Sequence, residues 1–383
     1  MKITIVLGAF LPVPPTMGGA VEKVWFALAQ EFARRGHEVL MVSRASAQLP
    51  DREGSNGVHH LRVRGFDTPR SLFWLKILDL IYSFRARSVL PKADILVTNT
   101  FWLPMLAPPS GSGRIYVHVA RYPKGQMRFY GKAARLQAPS RAVAHAIGAE
   151  APRLEKKITV IPYPAPAALT GGEPPPLPGR DKIVLFVGRV HPEKGVHLLV
   201  NAFASDARTI FADWELMIVG PTEERFGGGG ESYASSLQRS AEAAGDRVVF
   251  TGAVFDPIEL ERIFRAARLF VYPSLAERGE SFGLAPLEAM THGCAVLVSN
   301  LACFHDFIRD GETGFIFDHR SPNPVQGLRG KMEALMAGES LLAAAADAGY
   351  RKAAQYSLPA VADQFLNDFN QVIQDSDGRS TNR

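Results

Sequence analysis

Two glutamates eight residues apart frame the segment Glu280-Ser281-Phe282-Gly283-Leu284-Ala285-Pro286-Leu287-Glu288. Gly283 permits a tight turn, and Pro286 suits the first turn of a helix, where a missing N–H costs nothing. The segment reads as a loop carrying Glu280, followed by a helix carrying Glu288 in its opening turn. Between the two carboxylates, the backbone N–H groups of Ser281, Phe282, Gly283 and Leu284 would point one way. That is an anion pocket at a helix N-terminus. The flanking carboxylates repel phosphate but accept hydroxyls. A ligand with phosphates in its middle and hydroxyls at both ends is a nucleotide sugar.

A second segment points to the same ligand. Phe186-Val187-Gly188-Arg189-Val190-His191-Pro192-Glu193-Lys194-Gly195 follows an apolar run that reads as a buried parallel strand. Gly188 gives a tight exit, and Arg189 and Lys194 place two cations at the strand's C-terminal end. In an open α/β sheet, ligands bind at that edge. A guanidinium grips a diphosphate with its fork, and an ammonium adds a mobile point charge.

Together these segments resemble the retaining glycosyltransferases of family 4, which have the GT-B fold. The pattern is Gly188-Arg189, a spacer and Lys194-Gly195, then Glu280-x7-Glu288 around Ser281-Phe282-Gly283. Further likenesses run through Gly18-Gly19-Ala20, Arg35-Gly36-His37-Glu38-Val39, His118, Ser140, Phe250-Thr251-Gly252, Tyr272-Pro273-Ser274 and Thr313-Gly314-Phe315. The resemblance implies two Rossmann-like, doubly wound parallel-sheet domains with the donor in the cleft between them. Catalytic roles fall on His118, Arg189, Lys194 and Glu280. Gly18, Gly19, Gly188, Val254, Ser281, Phe282, Gly283, Leu284 and Glu288 would bind the donor: Glu288 on the ribose, main chain near Val254 on the base, Gly18 and Gly19 against the diphosphate. The resemblance implies that His118 contacts the donor sugar near the reacting carbon; on the residues alone, a lone histidine in a buried strand is more often structural. The resemblance also implies retention at the anomeric carbon. One departure stands out: Ile161-Pro162-Tyr163-Pro164 replaces the family's Ile-Pro-Asn-Gly near the domain junction.

With 383 residues, 46% hydrophobic and 21% charged, the chain is long enough for two soluble domains. Alternating strands and helices in each half fit a doubly wound α/β architecture. Residues 1–165 form the expected acceptor-side domain, with strands at 2–7, 39–42, 95–98, 115–119 and 159–161 and an amphipathic helix at 20–35. The Pro-rich stretch 166–181 reads as a semi-rigid linker. Residues 182–355 form the nucleotide-sugar domain, with strands at 183–187, 215–219, 248–251, 269–272, 295–299 and 315–317. The resemblance implies that a helix at about 359–373 packs back on the first domain, and 374–383 reads as a disordered tail. Two cysteines, Cys294 and Cys303, provide no disulfide framework and fit a reducing compartment. Residues 1–10 are too short an apolar run for a signal peptide. The chain is expected in the cytoplasm, or peripherally on the inner face of a membrane.

The net charge of +5 hides an asymmetry: residues 1–165 hold 23 Lys/Arg against 10 Asp/Glu, and the remainder is acidic. A basic half implies an anionic partner. Arg121-Tyr122-Pro123-Lys124-Gly125-Gln126-Met127-Arg128-Phe129-Tyr130-Gly131-Lys132 interleaves cations with aromatics. It fits an anionic glycan or lipid-linked acceptor, or a solvated basic loop; no nucleic-acid motif accompanies it. Residues 69–92 contain Phe73, Trp74, Leu75, Ile77, Leu78, Leu80, Ile81, Tyr82 and Phe84, together with five cations and one acid, Asp79. Two readings stand: a helix lying on an anionic membrane surface, or a core-facing helix with a solvated basic face.

No Gly-x-Gly-x-x-Gly is present, which argues against an oxidoreductase. Arg189 and Lys194 would stabilise charge on the departing diphosphate, so no metal or other cofactor is expected. Asp375-Ser376-Asp377 lies in the polar tail and reads as chance. Surface-polysaccharide or glycoconjugate assembly fits a basic acceptor half; the resemblance implies a UDP-hexose as the first candidate donor and GDP-mannose as the second. The alternatives are another GT-B enzyme, an epimerase or phosphorylase, or a non-catalytic donor-binding subunit.

Overall fold

Short runs of β-branched and aliphatic residues bounded by turns build the strands. The computed structural model describes all residues except 18, 70, 109–110, 167–171, 205–210 and 381–383, and describes no side chains for 376–380. The Gly18 expectation and part of the Asp375-Ser376-Asp377 triplet therefore lie outside the described residues. The chain divides into two units: Met1–Pro164 with Leu358–Arg383, and Ala165–Ser357.

The first unit holds eight strands: β1 (Lys2–Val6), β2 (Glu38–Arg44), β3 (Arg52–Ser55), β4 (Val58–Val63), β5 (Ile95–Thr98), β6 (Arg114–His118), β7 (Arg135–Ala138) and β8 (Ile158–Val160). Their order is β3-β4-β2-β1-β5-β6-β7-β8. Every pairing is parallel except β3 with β4. The sequence reading has no strand at β3, β4 or β7. β3 and β7 have only four residues each, and an arginine in each of the three strands, with two histidines in β4, blurs the apolar pattern that marks a buried strand.

The second unit contains β9 (Asp181–Val187), β10 (Glu215–Val219), β11 (Val248–Gly252), β12 (Ala267–Tyr272), β13 (Ala295–Ser299) and β14 (Phe315–Phe317). Their order, β11-β10-β9-β12-β13-β14, is all parallel and reverses direction between β9 and β12. That reversal is the switch point at which doubly wound sheets bind ligands. The two motif segments leave the C-terminal ends of these two neighbouring strands.

The stretch set apart as a linker belongs to the second unit. Arg180, buried, donates to the carbonyls of Pro175, Ala267 and His292. A guanidinium with five donors ties that segment to two others. The last helix, Leu358–Ser380, packs on the first unit. Phe365 and Phe369 meet Trp25, Phe32 and Tyr116. Asp368 accepts from Tyr116 at 2.7 Å and pairs with Arg135 at 2.8 Å. The helix continues through 374–380, where the sequence reading has a disordered tail: once a helix is nucleated by tertiary packing, each further residue adds a bond cheaply.

Candidate active site

After β9 the chain turns at Gly188, presents Arg189, and forms a short helical turn at Pro192–Lys194. His191 caps that turn with its ring, and Gly195 closes it at φ 67°. A Cβ at Gly195 would collide with the carbonyl oxygen of Pro273, so only glycine brings this loop against the exit of β12. The closeness has a consequence 86 residues along the chain. Lys194 Nζ lies 2.6 Å from Glu280 Oε2, with the two side chains only 9% and 12% exposed. Tyr272 donates to the same carboxylate oxygen at 3.3 Å, and Ser274 Oγ is 3.4 Å away. The ammonium also sits 5.5 Å from the Tyr272 ring centroid, and that ring stacks on Phe186. Lys194 and Glu280 thus form one buried, hydrogen-bonded ion pair at the switch point.

Arg189 remains exposed. It donates to Glu193 at 2.5 Å and to the Gly227 carbonyl at 2.9 Å. Burial works against ionisation of Glu193, but the Arg189 charge and hydrogen bond take its pKa below the usual carboxylate value. Glu193 also ties the two segments through its backbone, whose carbonyl accepts from Leu275 N at 2.8 Å.

The helix after Glu280 spans Leu284–Thr291, with Gly283 as N-cap at φ 98°. A Cβ on Gly283 would run into the Phe304 ring. Glu280 is in the loop, as read. Glu288 is on the second turn rather than the first, because the helix starts at Leu284 and Pro286 occupies its third position. The switch point gathers Gly188, Arg189, Lys194, Glu280 and the backbone of 281–284. Val254 follows β11, two strands away in the same sheet. Glu193, Tyr272 and Ser274 stand in segments that the sequence reading quotes, but it assigns them no role. The Tyr-Pro-Ser at the end of β12 was the available signal, since a tyrosine and a serine at a strand's C-terminal end face the ligand edge.

In the first unit, His118 ends β6 and is fully buried. Gln137 Nε2 donates to the Ile161 carbonyl at 2.6 Å, which fixes the amide and turns its Oε1 toward His118 Nδ1, 2.5 Å away. An amide oxygen only accepts, so Nδ1 carries a proton. Burial lowers the His118 pKa to about 4, so the ring is neutral near pH 7 and Nε2 is a lone pair. Tyr163 OH, 3.1 Å away, donates to it. The residue that departs from the family pattern thus holds the histidine, and both ring nitrogens have protein partners.

Gly19 precedes the helix Ala20–Arg34 as its N-cap. The carboxylate of Glu22 folds back over Gly19, where a phosphate at this helix N-terminus would sit. Burial raises the Glu22 pKa. A diphosphate at Gly19 requires Glu22 to turn away or take up a proton.

Two family models match the chain: Glycosyltransferase Family 4 over residues 17–166 and Glycosyl transferases group 1 over residues 173–352. A phosphatidyl-myo-inositol mannosyltransferase of Mycobacterium tuberculosis is 26% identical over 385 residues, covering 96% of this chain and 97% of that one. The sucrose-phosphate synthase of Thermosynechococcus elongatus superposes with a TM-score of 0.76 at 19% identity, covering 98% of this chain and all of that chain. Anabaena HepE, crystallised with UDP-glucose, gives 0.70 at 18% identity, covering 97% and 100%. The fold is GT-B. The chain belongs to glycosyltransferase family 4 and is a glycosyltransferase.

Proposed function

We propose that the enzyme transfers a hexose from a nucleoside-diphosphate sugar to an anionic, lipid-linked or glycan acceptor, with retention at the anomeric carbon. The observation that carries this is the switch-point cluster: exposed Arg189 beside the buried Lys194–Glu280 pair, next to a glycine-capped helix N-terminus. Arg189 and Lys194 neutralise charge as the diphosphate leaves. Glu280 and the backbone at 281–284 hold sugar hydroxyls, and Glu288 holds the ribose. With two cations on the leaving group, the transfer proceeds without a metal. A UDP-hexose is the first candidate donor; GDP-mannose is the second reading, favoured by the mannosyltransferase that matches along nearly the whole chain.

Thermal stabilisation by UDP-, GDP- and ADP-sugars in EDTA tests the proposal. One nucleotide sugar should stabilise the protein, and Arg189→Ala should abolish the shift without lowering the ligand-free melting temperature. No shift with any of them refutes it.

The acceptor side of the proposal rests on the first unit. Arg121, Lys124, Arg128 and Lys132 are all exposed. Their loop is pinned from below by Glu150, which accepts from Gly125 N and Met127 N at 2.7 Å. The helix Leu72–Ser88 turns Asp79, Tyr82, Ser83 and Ala86 inward. It leaves Leu72, Phe73, Trp74, Ile81 and Phe84 exposed, Phe73 at 67%. A helix with aromatics outward and basic neighbours suits the interface of an anionic bilayer, where a lipid-linked acceptor resides. No helix among the described residues is long and apolar enough to cross a membrane.

A further inference from the structure

Two aromatic side chains, Phe226 and Phe255, stand exposed at the ligand edge of the second unit's sheet. Phe255 is 76% exposed and Phe226 43% exposed, yet their rings touch, with centroids 5.9 Å apart. They come from different loops, Phe226 from the turn after β10 and Phe255 from the loop after β11. Both loops leave the C-terminal edge of the sheet, the edge that carries Arg189. Ile258, 59% exposed, follows three residues after Phe255. The Arg225 guanidinium lies over the Phe226 ring at 4.6 Å.

The pair is joined to the diphosphate cations through the backbone. Arg189 donates to the carbonyl of Gly227, the residue next to Phe226. The exits of β9, β10 and β11 lie side by side, with Gly188 N donating to Val219 O at 2.9 Å and Gly220 N donating to Gly252 O at 2.8 Å. Two strand spacings, about 10 Å, separate β9 from β11. That is the scale of a ribose with its base beyond a diphosphate held at Arg189. A planar, partly apolar group is what such a position would meet, and exposed aromatic faces bind one by stacking.

We infer that Phe226 and Phe255 form a stacking platform for the nucleobase of the donor, with Arg225 bracing the Phe226 ring. This rests on the nucleotide-sugar reading above. Stacking recognises the face that every base shares, so the platform contributes affinity to whichever nucleotide the enzyme uses and leaves base choice to edge contacts such as the main chain at Val254.

The test is calorimetric titration of the full chain with the nucleoside diphosphate that stabilises it best, and with inorganic pyrophosphate. Phe255→Ala should weaken the nucleoside diphosphate about tenfold and leave pyrophosphate unchanged. Phe255→Trp should keep the affinity, and its fluorescence should be quenched as the base stacks. Because Phe255 is largely exposed, these variants should fold as the wild type does, and unchanged pyrophosphate binding confirms it. If wild type binds a nucleoside diphosphate and both Phe226→Ala and Phe255→Ala bind it equally well, the platform is wrong and the transferase reading stands. If wild type binds none, the donor reading itself fails, and the platform with it.

Discussion

Glu280→Gln separates two consequences of the pair at the switch point. Lys194 and Glu280 are each about nine-tenths buried and sit 2.6 Å apart. Removing one partner of such a pair leaves the other charge buried and unpaired, which costs about 3–5 kcal/mol. Glutamine keeps the shape and can still accept from Tyr272, so the lower end, about 3 kcal/mol, is expected. The unit that holds the pair is Ala165–Ser357. For a domain of that size, each kcal/mol moves the melting temperature by about 2–4 °C, so a drop of roughly 6–12 °C should follow. A nucleoside diphosphate beside Lys194 restores the missing negative charge. Its stabilisation, about 2.7 kcal/mol at a hundredfold excess over Kd for a single site, should therefore be larger in the variant than in wild type, while sugar transfer falls because a hydroxyl acceptor is lost. Calorimetry with and without UDP and GDP reads both effects, and a coupled release assay reads transfer. A variant that melts with wild type and gains nothing extra from nucleotide would refute the argument, since the buried ammonium would then not need Glu280 as its partner.

The same logic extends to other positions. Burial raises the Asp79 pKa to about 6, from an ordinary 3.8. The unfolded chain therefore ionises first as pH rises, and stability declines between about pH 4 and 6, by roughly 3 kcal/mol in all. Asp79→Asn can keep both backbone bonds, because Phe101 N and Trp102 N donate to a single carboxylate oxygen. The variant should match wild type in urea denaturation near pH 4 and exceed it at pH 7.5; an equal difference at both would rule out titration as the cause. Gly195→Ala should destabilise by about 3 kcal/mol and weaken donor binding, since φ 67° is strained for alanine and its Cβ meets Pro273. Donor affinity that survives in a folded Gly195→Ala would show that the loop does not set Lys194. Phe73→Ser with Trp74→Ser should leave the fold intact and reduce binding to phosphatidylglycerol vesicles by at least about tenfold. Wild-type protein that ignores such vesicles at low salt would end the membrane reading.

Much of the site was legible because its chemistry is local in sequence. Gly188-Arg189 to Lys194-Gly195 and Glu280 to Glu288 each fit on one loop, and apolar runs located β5, β10, β13 and β14 to the residue. Outward and inward faces were less readable. In the helix Leu72–Ser88 the buried stripe is the more polar one. Composition shows that aromatics and cations are present, but only packing against Phe101 and Trp102 decides that Asp79 points in and Phe73 out.

The sequence by itself determined the alternation of strands and helices, the two ligand-edge segments and the family. Strand periodicity, turn residues and motif spacing are all short-range properties. Tertiary structure decided which charges pair. Lys194 meets Glu280 because β9 and β12 are neighbours at the point where the sheet order reverses, and no spacing rule gives a sheet order. It also decided that Tyr163 holds His118 and that Phe226 meets Phe255. Each depends on two chain segments meeting at the same edge of a sheet, a relation set by strand order and crossover geometry rather than by distance along the chain.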